Sequence, residues 1–442
     1  MSHTYPSELP IVPLANPVSA TVSVPGSKSI TNRALVLAAL ASRNGECILS
    51  GALQSEDTEV MVRALAELGF QIVTTWPMTI IIVERNETGR IIPAKVAEIF
   101  VANSGTTMRF LTAAVSIGQG HYRLDGVERM RERPIQDLLD ALTQLGVETH
   151  TETESNCPPV EIRTSGWKSP DRPPIPGMVY MQQSVSSQFL SGLMLAAPFA
   201  GLPRVDIIFD ENQVSRPYLD MTDAMLHQWG VETKFAGRAR TIEILQQPRA
   251  HRAHYRIEPD ASAASYFWAA AAITGGRVSV SGLNRKSLQG DVRFVDVLQQ
   301  MGCRVEECEA GITVHGKPLR GVDVDMNDIS DTVMTLGAVA CFAEGPTTIR
   351  NIAHIRHKET DRIAALATEL RKLGAEVDER PDGMTITPRP LTGCAVDTYN
   401  DHRMAMSLAL IGLKVPGVVI RNPGCVAKTY PGFWQDLEKL RI

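Results

Sequence analysis

The chain of 442 residues has little from which to build a cross-linked or membrane-spanning fold. Its seven cysteines (Cys47, Cys157, Cys303, Cys308, Cys341, Cys394 and Cys425) form no CxxC pair, and an odd number in so long a chain argues against a disulfide framework. A reducing compartment is the simplest reading. The most apolar run, 266–273, is far shorter than a bilayer span, and residues 1–10 lack the basic start and apolar stretch of a signal segment. Basic charge is not in excess either: 44 Lys and Arg against 49 Asp and Glu leave −5, so no overall field attracts nucleic acid or anionic lipid. Any phosphate site must be local. His354, His357 and His402 belong to no HExxH motif and have no carboxylate or Cys at ligand spacing, so no metal is expected. His251 and His254 read as surface residues. The expectation is a cytoplasmic globular protein.

Such a length favours two or three domains, each able to bury a core. A Gly followed by alternating apolar residues starts at Gly45, Gly120, Gly201, Gly275, Gly345 and Gly417, at intervals of 75, 81, 74, 70 and 72. Each start is preceded by a small-residue-rich apolar stretch that predicts a helix: 33–42, 108–118, 188–199, 265–274, 332–343 and 403–413. A second helix in five of the units ends at Leu68-Gly69, Leu145-Gly146, Trp229-Gly230, Met301-Gly302 or Leu373-Gly374, where Gly suits a left-handed cap. The sixth copy stops at Leu440. Six repeats imply an α/β fold of compact βαβ-containing subdomains, three per domain, with helices packed inward. The Pro-rich stretch 158–176 reads as a loop between strands within a repeat. If the N-terminal strand pairs with the C-terminal half, the chain crosses between domains near Ser27 and near Glu258. That places 1–26 plus 259–442 in one discontinuous domain and 27–258 in an inserted one.

The sharpest local motif is Pro25-Gly26-Ser27-Lys28-Ser29, with Arg33 on the opening turns of a helix. A helix start with free N–H groups, two hydroxyls and two cations suits an anion; a capped helix with surface charge is the plainer alternative. It is not a Walker loop, because the Gly before the Lys is missing. The run from Asn103 through Ser104, Gly105, Thr106, Thr107 and Met108 to Arg109 repeats the logic in the second unit, and Ser186-Ser187-Gln188 in the third. Asp260, Asp331 and Asp401-His402-Arg403 hold the equivalent positions in units four to six. Cations, hydroxyls and amides thus mark the first half and acids the second, as expected where anchoring and proton transfer fall to different groups. The run from Arg356 to Arg362 is dense in both charges; alone it would read as a solvated helix start.

Taken together, the stretches 25–33, 103–109, 131–134, 186–188, 215–218, 358–362 and 401–403, with Lys428, resemble the 5-enolpyruvylshikimate-3-phosphate synthase family from Pro10 to nearly the C-terminus. The resemblance implies a two-domain, inside-out α/β barrel-like fold of six βαβαββ subdomains. It also implies a monomer that needs no cofactor, with its active site in the interdomain cleft. The implied reaction transfers the enolpyruvyl group of phosphoenolpyruvate to the 5-hydroxyl of shikimate 3-phosphate, on the route to chorismate and aromatic amino acids. Carried over by motif, Lys28, Ser29 and Arg33 contact both substrates. Ser186, Ser187, Gln188, Ser215, Tyr218, Asp331, His354 and Lys358 fall to shikimate 3-phosphate. Asn103, Gly105, Arg133, Gln188, Arg362, Arg403 and Lys428 fall to phosphoenolpyruvate. Lys28, Asp331 and Glu359 are the implied catalytic groups: Asp331 accepts the hydroxyl proton, Glu359 protonates and later deprotonates the methylene carbon, and Lys28 stabilises the departing phosphate.

Three positions depart from the common pattern. Thr107 stands where Ala is usual and Phe110 where many bacterial relatives have Pro, from which weakened inhibition by glyphosate is expected. His354 stands in place of Asn. The nearest rival is the sister transferase acting on a UDP-amino sugar, whose loop Cys has no counterpart, since no Cys lies between Cys47 and Cys157. A silent anion-binding scaffold is the rival of a different class.

Overall fold

The computed structural model describes residues 5–76, 78–153, 155–168, 177–181, 186–209, 215–236, 241–247 and 249–441. The chain divides into two compact units: a discontinuous one, Met1–Gly26 with Glu258–Ile442, and an inserted one, Ser27–Ile257.

Twelve α-helices fall among the described residues, in two interleaved series. The odd series is α1 (Lys28–Ala41), α3 (Gly105–Ser116), α5 (Ser187–Ala196), α7 (Ala261–Thr274), α9 (Val333–Ala340) and α11 (His402–Gly412). These helices are buried nearly all round; α3, for example, has no exposed residue along its length. A helix apolar on every side must sit in an interior, and burial of each Leu, Ile or Phe on it contributes about 1.5–3 kcal/mol. Accordingly α1, α3 and α5 pack together in the inserted unit, and α7, α9 and α11 in the discontinuous one. The even series, α2 (Glu56–Glu67), α4 (Gln136–Gln144), α6 (Arg216–Gln228), α8 (Phe294–Gln300), α10 (Arg362–Lys372) and α12 (Phe433–Glu438), buries only one face of its longer members.

Each repeat closes a small sheet. In the second, Val96–Phe100 runs parallel to Gly120–Asp125, which pairs antiparallel with Val160–Thr164, and that strand with Glu148–Thr151. The order strand, α3, strand, α4, strand, strand is the βαβαββ unit. Val160–Thr164 lies inside the Pro-rich stretch read as a loop: its alternation of Val160, Ile162 and Thr164 outweighs the flanking prolines, while 169–176 lies outside the described residues.

Three strands come from distant sequence. Ser19–Val22 pairs parallel with Arg277–Ser281 to complete the fourth repeat, and His254–Arg256 pairs parallel with Cys47–Ser50 to complete the first. In the sixth, Glu8–Pro10 pairs antiparallel with Val419–Arg421. Gly69, Gly146, Gly230, Gly302 and Gly374, one after each even helix but the last, all have φ between 76° and 113°, so the chain leaves each helix through the left-handed region. Five of the six odd helices begin before the apolar runs that predict them, for example at Lys28 rather than 33 and at Ala261 rather than 265, because a polar cap starts the first turn; α9, which lacks such a cap, begins at Val333.

Candidate functional site

The polar residues singled out from the sequence gather at helix starts. Ser27, Ser104 and Ser186 cap α1, α3 and α5, accepting from the backbone N–H of Ile30, Thr107 and Gln188; Asp260 and Asp401 cap α7 and α11, accepting from Ala263 and Arg403. The exception is α9, whose N-cap, Thr332, makes no side-chain capping bond. Asp331, expected at the equivalent cap position, instead lies inside a 3-10 turn, Asn327–Thr332. Its carboxylate accepts from Arg362 Nη1 at 3.2 Å and from Arg403 Nη2 at 2.7 Å.

These bonds belong to a buried ionic net in the discontinuous unit. The Arg362 side chain is 2% exposed and also donates to Glu359 Oε2 at 2.9 Å and Asp401 Oδ2 at 2.8 Å. Lys428 Nζ stands 3.8 Å from Glu359 Oε1. Burial opposes the charge on Arg362, yet Asp401, Glu359 and Asp331 together hold its pKa above the ordinary value. Three cations, Arg362, Arg403 and Lys428, face three acids, Asp331, Glu359 and Asp401. A charge-assisted fork of this kind keeps the acids oriented and offers an entering anion two guanidiniums and an ammonium. At the edge of the net, His354 Nε2 lies 2.9 Å from Ser330 Oγ, and burial, with the Lys358 charge behind it, pulls the imidazole pKa down to about 4.

The inserted unit presents a different chemistry. Arg33, buried on α1, donates from Nε to Thr222 Oγ1 (2.8 Å), from Nη1 to the Ser29 carbonyl (3.0 Å) and from Nη2 to Ser191 Oγ (3.0 Å) and the Tyr218 carbonyl (3.3 Å). Burial lowers the Arg33 pKa to about 10. Lys28 lies 3.3 Å from the buried Asp57 carboxylate on α2. On α3, a Cβ at Gly105 would stand 2.6 Å from Arg133 Nη2 and closer still to Arg109 Nη1, so a side chain there would displace the two guanidiniums from the helix start. Gln188 Nε2 donates to Thr106 Oγ1 at 3.2 Å, tying α5 to α3. Ser187 opens α5, and Ser215 caps the end from which α6 carries Tyr218, whose ring lies below Arg33. Asn103 sits just before Ser104, half-buried.

Sequence reasoning passed over Asp57, Thr222 and Ser191, whose partners lie on other helices. It also treated the run from Arg356 to Arg362 as a possible solvated face. Arg356 in fact binds Asp361 and Glu379, and Arg362 is buried. Among the described residues no group of three or more His, Cys, Asp and Glu is placed to hold a metal ion, and no helix is long and apolar enough to cross a membrane.

A family model described as EPSP synthase (3-phosphoshikimate 1-carboxyvinyltransferase) matches residues 13–437. A relative from Nostoc punctiforme named 3-phosphoshikimate 1-carboxyvinyltransferase is 47% identical over 433 residues, covering 96% of this chain and 98% of the relative. A relative from Solanum lycopersicum, with the same name and the word chloroplastic, is 44% identical and covers 98% of this chain and 84% of its own. Among solved structures, an EPSP synthase from Acinetobacter baumannii superposes with a TM-score of 0.80 at 25% identity, covering 98% of each chain.

Proposed function

The chain belongs to the EPSP synthase family, and we propose that it transfers the enolpyruvyl group of phosphoenolpyruvate to the 5-hydroxyl of shikimate 3-phosphate, as a cytoplasmic monomer that needs no cofactor. The observation that carries the reading is Asp331: alone among the acids at the odd helix starts, it does not cap its helix and is turned to Arg362 and Arg403.

To shikimate 3-phosphate we assign Lys28, Ser29, Arg33, Ser186, Ser187, Gln188, Ser215, Tyr218, Asp331, His354 and Lys358. Arg33 is buried and donates to hydroxyl and carbonyl oxygens, so among the described residues it offers an anion a buried cation with no carboxylate partner. Phosphoenolpyruvate falls to Lys28, Asn103, Gly105, Arg133, Gln188, Arg362, Arg403 and Lys428, where planar guanidiniums suit its phosphate and carboxylate.

In the addition step the 5-hydroxyl oxygen bonds to C2 of phosphoenolpyruvate, its proton passes to Asp331, and C3 takes a proton from Glu359. The anionic substrate draws Arg362 and Lys428 to itself, which frees Glu359 from two cations and lets it carry that proton. In the elimination step C3 returns the proton to Glu359, the bond from C2 to the phosphate oxygen breaks, and phosphate leaves beside Lys28 with the proton held by Asp331. Four of the seven cysteines, Cys47, Cys157, Cys303 and Cys341, are buried and unpaired, which supports a reducing compartment. Glyphosate competes for the phosphoenolpyruvate groups and is weakened here by Phe110, which is buried against Arg33. Release of phosphate that depends on both substrates tests the reading.

A further inference from the structure

The acid Asp401, which binds the Arg362 guanidinium and caps α11 by accepting from the Arg403 backbone N–H, is the last residue of an unusual turn. Tyr399 and Asn400 both have φ of 53°, in the left-handed region that side-chain-bearing residues rarely adopt. Such a pair persists only where its surroundings dictate it. The Asp401 N–H donates back across the turn to the Thr398 carbonyl at 2.8 Å, and Asn422 Nδ2 donates to Asn400 Oδ1 at 3.2 Å.

Arg421 Nη1 donates to Asp397 Oδ1 at 3.1 Å, and a further hold comes from Glu369, which has no solvent exposure. Its Oε2 accepts from the Asp397 N–H at 3.1 Å, and its Oε1 from Tyr399 Oη at 2.6 Å and Lys372 Nζ at 2.8 Å. Lys372 in turn binds Asp397 Oδ2 at 2.7 Å. Glu369 lies seven residues after Arg362 on α10, two helical turns along the same face. One helix therefore grips one turn at two points: Arg362 holds Asp401 at its end, and Glu369 holds Asp397 and Tyr399 at its beginning and middle.

We infer that Glu369 and Tyr399 are positioning residues for phosphoenolpyruvate recognition, fixing the 397–400 turn so that Asp401 holds the Arg362 guanidinium and, through the cap of α11, the start of the helix that carries Arg403. The inference rests on assigning those two arginines to phosphoenolpyruvate. A buried carboxylate that served stability alone would have no reason to bond both the main chain and a side chain of a strained turn ending at the ionic net. Loss of the Tyr399 hydroxyl leaves its ring in place but lets the turn relax, so the guanidiniums lose register while the shikimate 3-phosphate groups of the inserted unit are untouched.

The test is steady-state phosphate release by Tyr399→Phe and Glu369→Gln with each substrate varied in turn, alongside Arg403→Lys. Leu298→Ala, a cavity on α8 remote from the turn in sequence, supplies a comparison for a general loss of stability. The expected result for Tyr399→Phe is a KM for phosphoenolpyruvate raised about five- to twenty-fold, with the KM for shikimate 3-phosphate changed less than about twofold, as for an interaction that sets binding rather than the chemical step. Leu298→Ala should lower Tm without that split. If Arg403→Lys raises the KM for phosphoenolpyruvate and Tyr399→Phe does not, the positioning role is overturned and the assignment of the arginines stands. If neither variant moves it, the assignment itself fails and the inference with it. Should Glu369→Gln not fold, Tyr399→Phe decides the matter alone.

Discussion

The Arg33 guanidinium lies over the ring of Phe110, with Cζ 5.1 Å from the centroid. Phe110 is wholly buried at the sixth position of α3, and three residues earlier Thr107 Oγ1 bonds Ser104 Oγ at 2.8 Å, at the cap of the same helix. Both departures from the common pattern therefore bear on groups proposed to bind substrate: Phe110 on Arg33, and Thr107 on the helix start that carries Gly105. A cation lying on an aromatic face gains about 0.5–2 kcal/mol, more when desolvated, and Arg33 is held in one orientation by it.

Replacing Thr107→Ala and Phe110→Pro together removes this support and reshapes the start of α3. The inhibition constant for glyphosate, divided by the KM for phosphoenolpyruvate, is expected to fall about tenfold, a change of roughly 1.4 kcal/mol. Inhibition curves at fixed shikimate 3-phosphate measure it, and an unchanged ratio sets aside the link between Phe110 and inhibitor discrimination.

Asp331 and the two arginines make opposite demands on one variant. Asp331→Asn removes the proposed proton acceptor, so kcat should fall on the order of a hundred- to ten-thousand-fold. The same change releases Arg362 and Arg403 from a carboxylate, so the Kd for phosphoenolpyruvate, measured by calorimetry in the presence of shikimate 3-phosphate, should hold or tighten. A Kd weakened more than about tenfold would show that Asp331 serves mainly to build the phosphoenolpyruvate subsite. Glu359→Gln should likewise retain binding and lose turnover.

Asp291 accepts from Ser262 Oγ, and burial, with the negative charge of Asp331 behind it, raises its pKa to about 7. A carboxyl whose folded-state pKa lies above the unfolded value, about 3.9, keeps its full contribution to stability below that value and loses it as pH rises through 7. Asp291→Asn, which holds the shape without the charge, should therefore stabilise the protein at pH 8 and do little at pH 4. The upper limit of the gain is about 4 kcal/mol at 1.36 kcal/mol per pH unit. Denaturant midpoints at the two pH values check the sign.

His354 has the opposite displacement. With its pKa near 4 the imidazole is neutral at physiological pH, and its contribution is present above the unfolded value of about 6.5 and lost as pH falls toward 4. It cannot then be the group that titrates near neutrality in turnover. The pH dependence of kcat/KM for His354→Asn should overlay that of the parent between pH 6 and 9, whereas a displaced limb would give His354 a charged role.

Much of this was legible in the sequence because it depends on local chemistry. The repeat shows in the left-handed glycines after five of the six even helices, and the helix starts show in Ser27, Ser104, Ser186, Asp260 and Asp401, each of which caps its own first turn. What was not legible depends on contacts across distance. Asp57 matters through Lys28, Thr222 and Ser191 through Arg33, and Glu369 through a turn some 30 residues away. Nothing at those positions marks them, since an acid in the middle of an amphipathic helix looks the same whether solvated or enclosed. The strand Val160–Thr164 was lost for the opposite reason, because neighbouring prolines masked a short alternation.

The most direct measurement is phosphate release by the purified chain supplied with phosphoenolpyruvate and either shikimate 3-phosphate or a UDP-amino sugar. The account predicts turnover that requires phosphoenolpyruvate together with shikimate 3-phosphate and that Glu359→Gln nearly abolishes. Turnover with the UDP-amino sugar instead, or none with shikimate 3-phosphate while both anions still bind, would contradict it.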